Sequence, residues 1–336
     1  MAVGVDEQVR AALAAADAET ASPQERAEML MEIAIGLQIK PKSPDELSAA
    51  VELYDRALEI CPATHALLAA RIHARKATAL QALPEDGTSS LEQARDALNT
   101  AMPVLRAHGE AEELAEAEMN LGLVLQNLAG SHKARITDAI AAYQRSLRTF
   151  DRIKFPAEFA ILQNNLATAF LSIPFTDERA KMREALAVQA FEEGLKVVNL
   201  IDNPAEYAML QNNLGNALQY ASSSHVVENN LRALEAYDEA LKVRSRDVMP
   251  TEYANTISNK ANCLWNLPDD VTDPDGGNQR NLAAARMLYG EARAIYNATG
   301  ELEKARIVAE AIDQIERETL SVAMANGTAE PWLERH

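Results

Sequence analysis

Apolar residues along this chain recur three and four positions apart over long stretches, the spacing that gathers them on one face of an α-helix. Within residues 156–170, Leu162, Leu166, Ala169 and Phe170 share one stripe. Within residues 233–241, Ala233, Ala236, Tyr237, Ala240 and Leu241 share another. Helix starts are marked as well. Ser22-Pro23 and Asn203-Pro204 each place a capping residue ahead of a proline at the first helical position.

Both stripes repeat. Residues 156–170 (PAEFAILQNNLATAF) return as residues 204–218 (PAEYAMLQNNLGNAL) and again, more loosely, as residues 250–264. Weaker copies occupy 119–125 and 74–80. A second pattern alternates with the first, as in 50–58, 139–147 and 233–241. Its large residue falls at Tyr54, Leu98, Tyr143, Phe191, Tyr237 and Tyr289, at intervals of 44 to 52 residues. Each repeat therefore reads as a helix pair, A then B, too small to bury its apolar face alone; stacked pairs bury a continuous core. Six pairs are expected across residues 23–298, with an N-terminal helix in residues 1–22, a capping helix closing the array at 320, and a loose tail over 321–336.

Asn-Leu-Gly-Asn-Ala at 213–217, followed by Ala236-Tyr237-x-x-Ala240-Leu241, resembles the tetratricopeptide repeat, with a period longer than its usual length of about 34 residues. The resemblance runs over roughly residues 23–320. It implies an all-α, right-handed superhelical solenoid of about six helix-turn-helix repeats with terminal capping helices. It also implies a groove lined by two positions per A helix.

Those groove positions are Asn164 with Thr168, Asn212 with Asn216, and Ser258 with Asn262, four residues apart on one helix face. One turn further, Asn127, Ser172, Tyr220 and Asn266 extend the strip. Asparagine is a mediocre helix former, so its recurrence in mid-helix calls for a reason. An amide both donates and accepts, which suits holding a peptide backbone. The competing reading is structural: Asn120, Asn165, Asn213 and Asn259 sit just ahead of a small residue and would bond to neighbouring helices. The second A helix carries Arg71, His73, Arg75 and Lys76, the densest basic group in the chain. Arg71 and Arg75 could clamp an acidic peptide or pair with acidic neighbours.

Composition narrows the partner. Hydrophobic residues make up 48% and aromatics 5%, enough for a helical core, while 50 acidic against 32 basic side chains leave a charge of −18. Such a surface repels phosphate backbones and anionic headgroups, so nucleic acid and membranes are poor partners. The N-terminal stretch lacks the features of a signal peptide and no apolar run approaches a membrane span. With only Cys61 and Cys263, a reduced, cytoplasmic chain is expected. Asp269-Asp270-x-x-Asp273 spells a magnesium-diphosphate motif of helical enzymes, but Pro268 and Pro274 bracket it in an inter-helix loop. Adventitious calcium at Asp269, Asp273 and Asp275 fits that loop somewhat better, although the spacing misses the EF-hand pattern. No histidine pair has metal-ligand spacing and no phosphate-binding glycine loop occurs. The sequence thus points to a non-catalytic scaffold or adaptor for a protein or peptide, without cofactor or metal. Self-assembly through stacked terminal repeats into a homo-oligomer is the alternative, and an α-helical enzyme ranks behind both.

Overall fold

The computed structural model describes residues 5–18, 21–39, 41–84, 87–174, 178–221, 225–273 and 276–325. Among them are fourteen α-helices and no strand: α1 (Val5–Asp17), α2 (Pro23–Ile39), α3 (Pro44–Ile60), α4 (Ala66–Ala82), α5 (Ser89–His108), α6 (Ala111–Gly130), α7 (Ile136–Ser146), α8 (Pro156–Leu171), α9 (Arg179–Leu195), α10 (Pro204–Gln219), α11 (Val226–Leu241), α12 (Pro250–Trp265), α13 (Gln279–Thr299) and α14 (Leu302–Ala325). The chain divides into two compact units, residues 1–155 and 156–336. Helices α2 to α13 pack as six consecutive A/B pairs, three in each unit.

One contact recurs in every pair and explains why the two sequence patterns alternate. The B-helix residues Tyr54, Leu98, Tyr143, Phe191, Tyr237 and Tyr289 are all at most 3% exposed. Opposite them the A helices carry Ala34, Ala77, Gly122, Ala167, Gly215 and Ala261, all buried. Where the ring comes nearest, even a methyl group has no room: a Cβ at Gly215 would lie 2.6 Å from Tyr237 Cε1, and one at Gly122 would collide with the ring of Tyr143. Full burial of such a side chain contributes on the order of 2 kcal/mol.

The tyrosine hydroxyls need partners inside the core, and the A helices supply them. Tyr54 Oη donates to Gln38 Oε1 (2.8 Å), Tyr143 Oη to Gln126 Oε1 (2.9 Å), and Tyr237 Oη to Gln219 Oε1 and Asn216 Oδ1, each at 2.8 Å. In the fourth pair the B residue is Phe191, with no hydroxyl, and the glutamine position holds Leu171. In the sixth pair that position holds Trp265, and Tyr289 Oη donates instead to Asn262 Oδ1 at 2.7 Å.

Helix boundaries follow local chemistry. Ser22 accepts from Glu25 N (3.3 Å) while Glu25 Oε2 accepts from Ser22 N (2.8 Å), a reciprocal cap. The expected side-chain cap at Asn203 does not form; its backbone carbonyl accepts from Tyr207 N at 2.9 Å. Before α8 and α10 the chain turns on Asp151 and Asn199, whose Oδ1 atoms accept from Ile153 N and Lys154 N, and from Ile201 N and Asp202 N, between 2.8 and 3.0 Å.

Flanking helices cover the outer pairs. Val9, Ala12 and Ala16 of α1 are buried with α2 and α3 residues. Ala305, Val308, Ile312 and Ile315 of α14 join the core of α12 and α13, while Glu303, Arg306, Glu310, Asp313 and Arg317 face outward. Helix α14 continues five residues past the cap end expected at 320. The remainder of the expected tail, from 326, lies outside the described residues, as do Pro274 and Asp275.

Candidate functional site

The small residue of each A helix fixes a ruler for the surface beside it. Three residues before it stand Met31, Ala74 and Met119 in the first unit, against Asn164, Asn212 and Ser258 in the second. One residue after it stand Ile35, Thr78 and Leu123, against Thr168, Asn216 and Asn262. The same face is largely apolar in one unit and amide- and hydroxyl-rich in the other. In each unit a cleft opens on it.

In the second unit the asparagines form a hydrogen-bonded ladder across α8, α10 and α12. Asn164 Nδ2 donates to Asn165 Oδ1 (3.2 Å), Asn213 Nδ2 to Asn164 Oδ1 (2.7 Å), and Asn212 Nδ2 to Asn213 Oδ1 (3.1 Å). Asn212 Oδ1 accepts in turn from Thr256 Oγ1 (3.1 Å) and Asn259 Nδ2 (3.4 Å). Asn164 and Asn212 are only 8% and 6% exposed. Expected to meet a peptide, they are nearly buried and fasten neighbouring A helices: Asn164 meets Asn213 of α10, and Asn212 meets Thr256 and Asn259 of α12. Arg244 reaches the ladder's end, donating to Thr256 Oγ1 at 2.9 Å, and burial pulls its pKa down.

The other predicted positions surround that ladder. Thr168 donates back to Asn165 O (3.0 Å), and Asn216 accepts from Tyr237. Asn262 is a junction: its Nδ2 donates to Tyr220 Oη (2.9 Å) and its Oδ1 accepts from Tyr289 Oη (2.7 Å). Tyr220 is nevertheless 65% exposed. Asn266 is exposed and donates back to Asn262 O (2.8 Å). Ser258, Asn259 and Asn262 form the polar wall of a cleft of about 200 Å³, faced by Ile307, Val308 and Ala311 of α14. Lys304 stands 5.8 Å above the Tyr296 ring at its edge.

The first unit has a cleft of about 170 Å³ across α2, α4 and α6, floored by Met31, Ile35, Ala74 and Ala117. Arg71 and Arg75 border it, each engaged by a carboxylate of α6. Arg71 Nε and Nη2 hold Glu113 in a fork (2.6 and 3.2 Å), and Arg75 Nη1 meets Glu116 Oε1 at 2.8 Å. The Arg71 fork holds the Glu113 carboxyl below the usual range, and Glu113 in turn raises Arg71. Lys76 pairs with Asp55, and burial lowers His73. Asn127 is exposed on α6. Asn120, expected to bond a neighbouring helix, has no hydrogen-bond partner among the described residues and lines the cleft.

The acidic loop has structural uses for two of its three described carboxylates. Asp269 accepts from Arg280 N and Asn281 N, both at 2.9 Å, at the start of α13. Asp270 Oδ1 accepts from Thr272 N (2.8 Å) and Oγ1 (2.7 Å). Cys263 is buried, which pushes its thiol up to about 12. Among the described residues no helix is long and apolar enough to cross a membrane.

Small residue on A, large side chain on B, pair stacked on pair within each unit: the fold is tetratricopeptide-like. No family model matches the sequence, and no curated protein is significantly similar to it. Similar solved structures include BtubC (BKLC) from P. vanneervenii, at 16% identity over 99% of this chain and 96% of that one, TM-score 0.39. Another is the Rap protein complexed with competence and sporulation factor, at 13% identity over 89% and 82%, TM-score 0.41. A third is the TPR2AB domain of yeast Sti1 with an HSP90 peptide, at 16% identity over 87% and 99%, TM-score 0.30.

Residues that sequence reasoning passed over are Met31, Glu32 and Ile35, while Asn120 was read only as a structural amide. The signal was present: extending the two-position rule from α8, α10 and α12 back to α2 selects Met31 and Ile35 directly.

Proposed function

We propose that this chain is a non-catalytic scaffold that binds a protein or peptide along the exposed face of its A helices. The observation supporting this most is that two clefts, one in each unit, open on equivalent positions of the repeat. A fold that needed these positions only for packing would have no reason to leave the same face recessed in both. In the second unit, Ser258 and the exposed Tyr220 present hydroxyls, and Lys304 an ammonium, to groups of an extended backbone. Ile307, 53% exposed on the opposite wall, offers apolar contact to its side chains.

The test is a peptide array probed with the full chain and with a Ser258→Ala/Tyr220→Ala variant. Selective retention by the wild type, reduced about tenfold in a variant with an unchanged melting temperature, is expected. Equal retention would move binding off this face. Sedimentation over a range of concentrations, on the same preparations, checks the rival reading of self-assembly.

A further inference from the structure

Chemistry around the first-unit cleft points to a partner of the opposite sign from the one its arginines suggest. Both border arginines are neutralised in place, Arg71 by Glu113 and Arg75 by Glu116. Each pair links α4 to α6, so these charges form walls. Glu32, exposed on α2 at the same rim, has no ion pair or hydrogen bond among the described residues. It is the unneutralised charge of the cleft. The floor beneath it is Met31, Ile35 and Ala74, half-buried side chains with no polar group. Asn120, with a free amide, stands across from them.

We infer that this cleft takes a segment of a partner protein presenting a bulky apolar side chain next to a lysine or arginine. The apolar side chain would enter over Met31 and Ile35, displacing water from apolar surface. The neighbouring cation would reach Glu32, and the Asn120 amide would pair with the segment's backbone. The chain's charge of −18 draws a basic segment toward it from a distance. A second copy of this chain is a poorer occupant, since it brings the same acidic surface. The inference rests on the proposed binding function and specifies the partner's chemistry for one of its two clefts.

A direct test uses the full chain and synthetic twelve-residue peptides carrying Leu-Lys or Phe-Arg pairs, with matched peptides in which the cation is replaced by Glu or the apolar residue by Ser. Binding is read by fluorescence anisotropy. The wild type should favour the apolar–basic peptides by about tenfold or more over both controls, and Glu32→Lys should abolish the preference over the Glu control. Glu32 is exposed, so this variant should fold; an unchanged melting temperature checks that. Met287→Ser, on the exposed side of α13 and outside both clefts, should leave the preference intact. A preference for the acidic peptides, or a basic preference untouched by Glu32→Lys, overturns the inference while leaving peptide binding standing. Failure to bind any peptide overturns the binding function itself. A dimer that dissociates in Glu32→Lys would assign the cleft to a second copy and overturn the inference too.

Discussion

The two units use one helix-pair plan but surface it differently. At the positions flanking the small A-helix residue, the first unit carries Met31, Ile35, Met119 and Leu123, and the second carries Asn164, Asn212, Asn216 and Asn262. The first unit ties its A helices α4 and α6 with forked or single ion pairs beside an apolar floor. The second ties α8, α10 and α12 with amide-to-amide hydrogen bonds. Ion pairs near the surface are screened and contribute little, whereas buried amides are costly to leave unpaired. The comparison teaches that one repeat position can serve cohesion in one unit and remain available for contact in the other.

The largest effect should come from the contact common to both units. Gly215→Leu and Gly122→Leu each drive a side chain into a buried tyrosine ring, and each should destabilise by about 3 kcal/mol or more. Denaturant unfolding checks this, and a loss below 1 kcal/mol at either site would show that the ring can move aside.

The ladder should matter next. Asn212→Ala leaves Thr256, Asn213 and Asn259 short of a partner and should cost about 1–3 kcal/mol. Hydrogen exchange should quicken in α8, α10 and α12 while α2 to α6 stay unchanged. Equal loosening of both units would erase the distinction drawn here.

Smaller still is the hydroxyl exchange. Tyr237→Phe should cost about 1 kcal/mol, and Tyr237→Phe with Gln219→Leu, which copies Phe191 and Leu171 of the fourth pair, should recover part of it. No recovery would mean that the Asn216 acceptor, and not Gln219, dominates.

The smallest effect is the pH response of the first unit. Glu113 has its pKa lowered in the folded chain by Arg71, so its contribution is present above the unfolded carboxyl's pKa and is lost as pH falls through the folded value. Glu113→Gln should therefore lower stability at neutral pH and flatten the acid limb below about pH 4. An acid limb identical in the variant would assign that loss to other carboxylates.

Much of this fold was legible in the sequence, because burial repeats with the chain: the spacing from Tyr54 to Tyr289 marks each B helix, and Gly122 and Gly215 mark where a ring lies against the backbone. The site was less legible. Asn212 and Asn213 are neighbours about 100° apart around a helix, and periodicity alone could not say which of them meets an adjacent A helix; both do, Asn212 toward α12 and Asn213 toward α8. Nor could the basic group on α4 reveal that its charges were already satisfied. Glu113 and Glu116 lie one repeat further on, 42 and 41 residues away, so pairing becomes visible only once the repeat is folded.

The central claim is that the A-helix face is the contact surface. Site-specific photo-crosslinking from Thr78 and Asn266 on that face, and from Met287 on the exposed side of α13, tests it against any peptide selected from the array. Crosslinks from the A-helix positions and none from Met287 are the result this account predicts. Crosslinks from Met287 with none from Thr78 or Asn266 would contradict it.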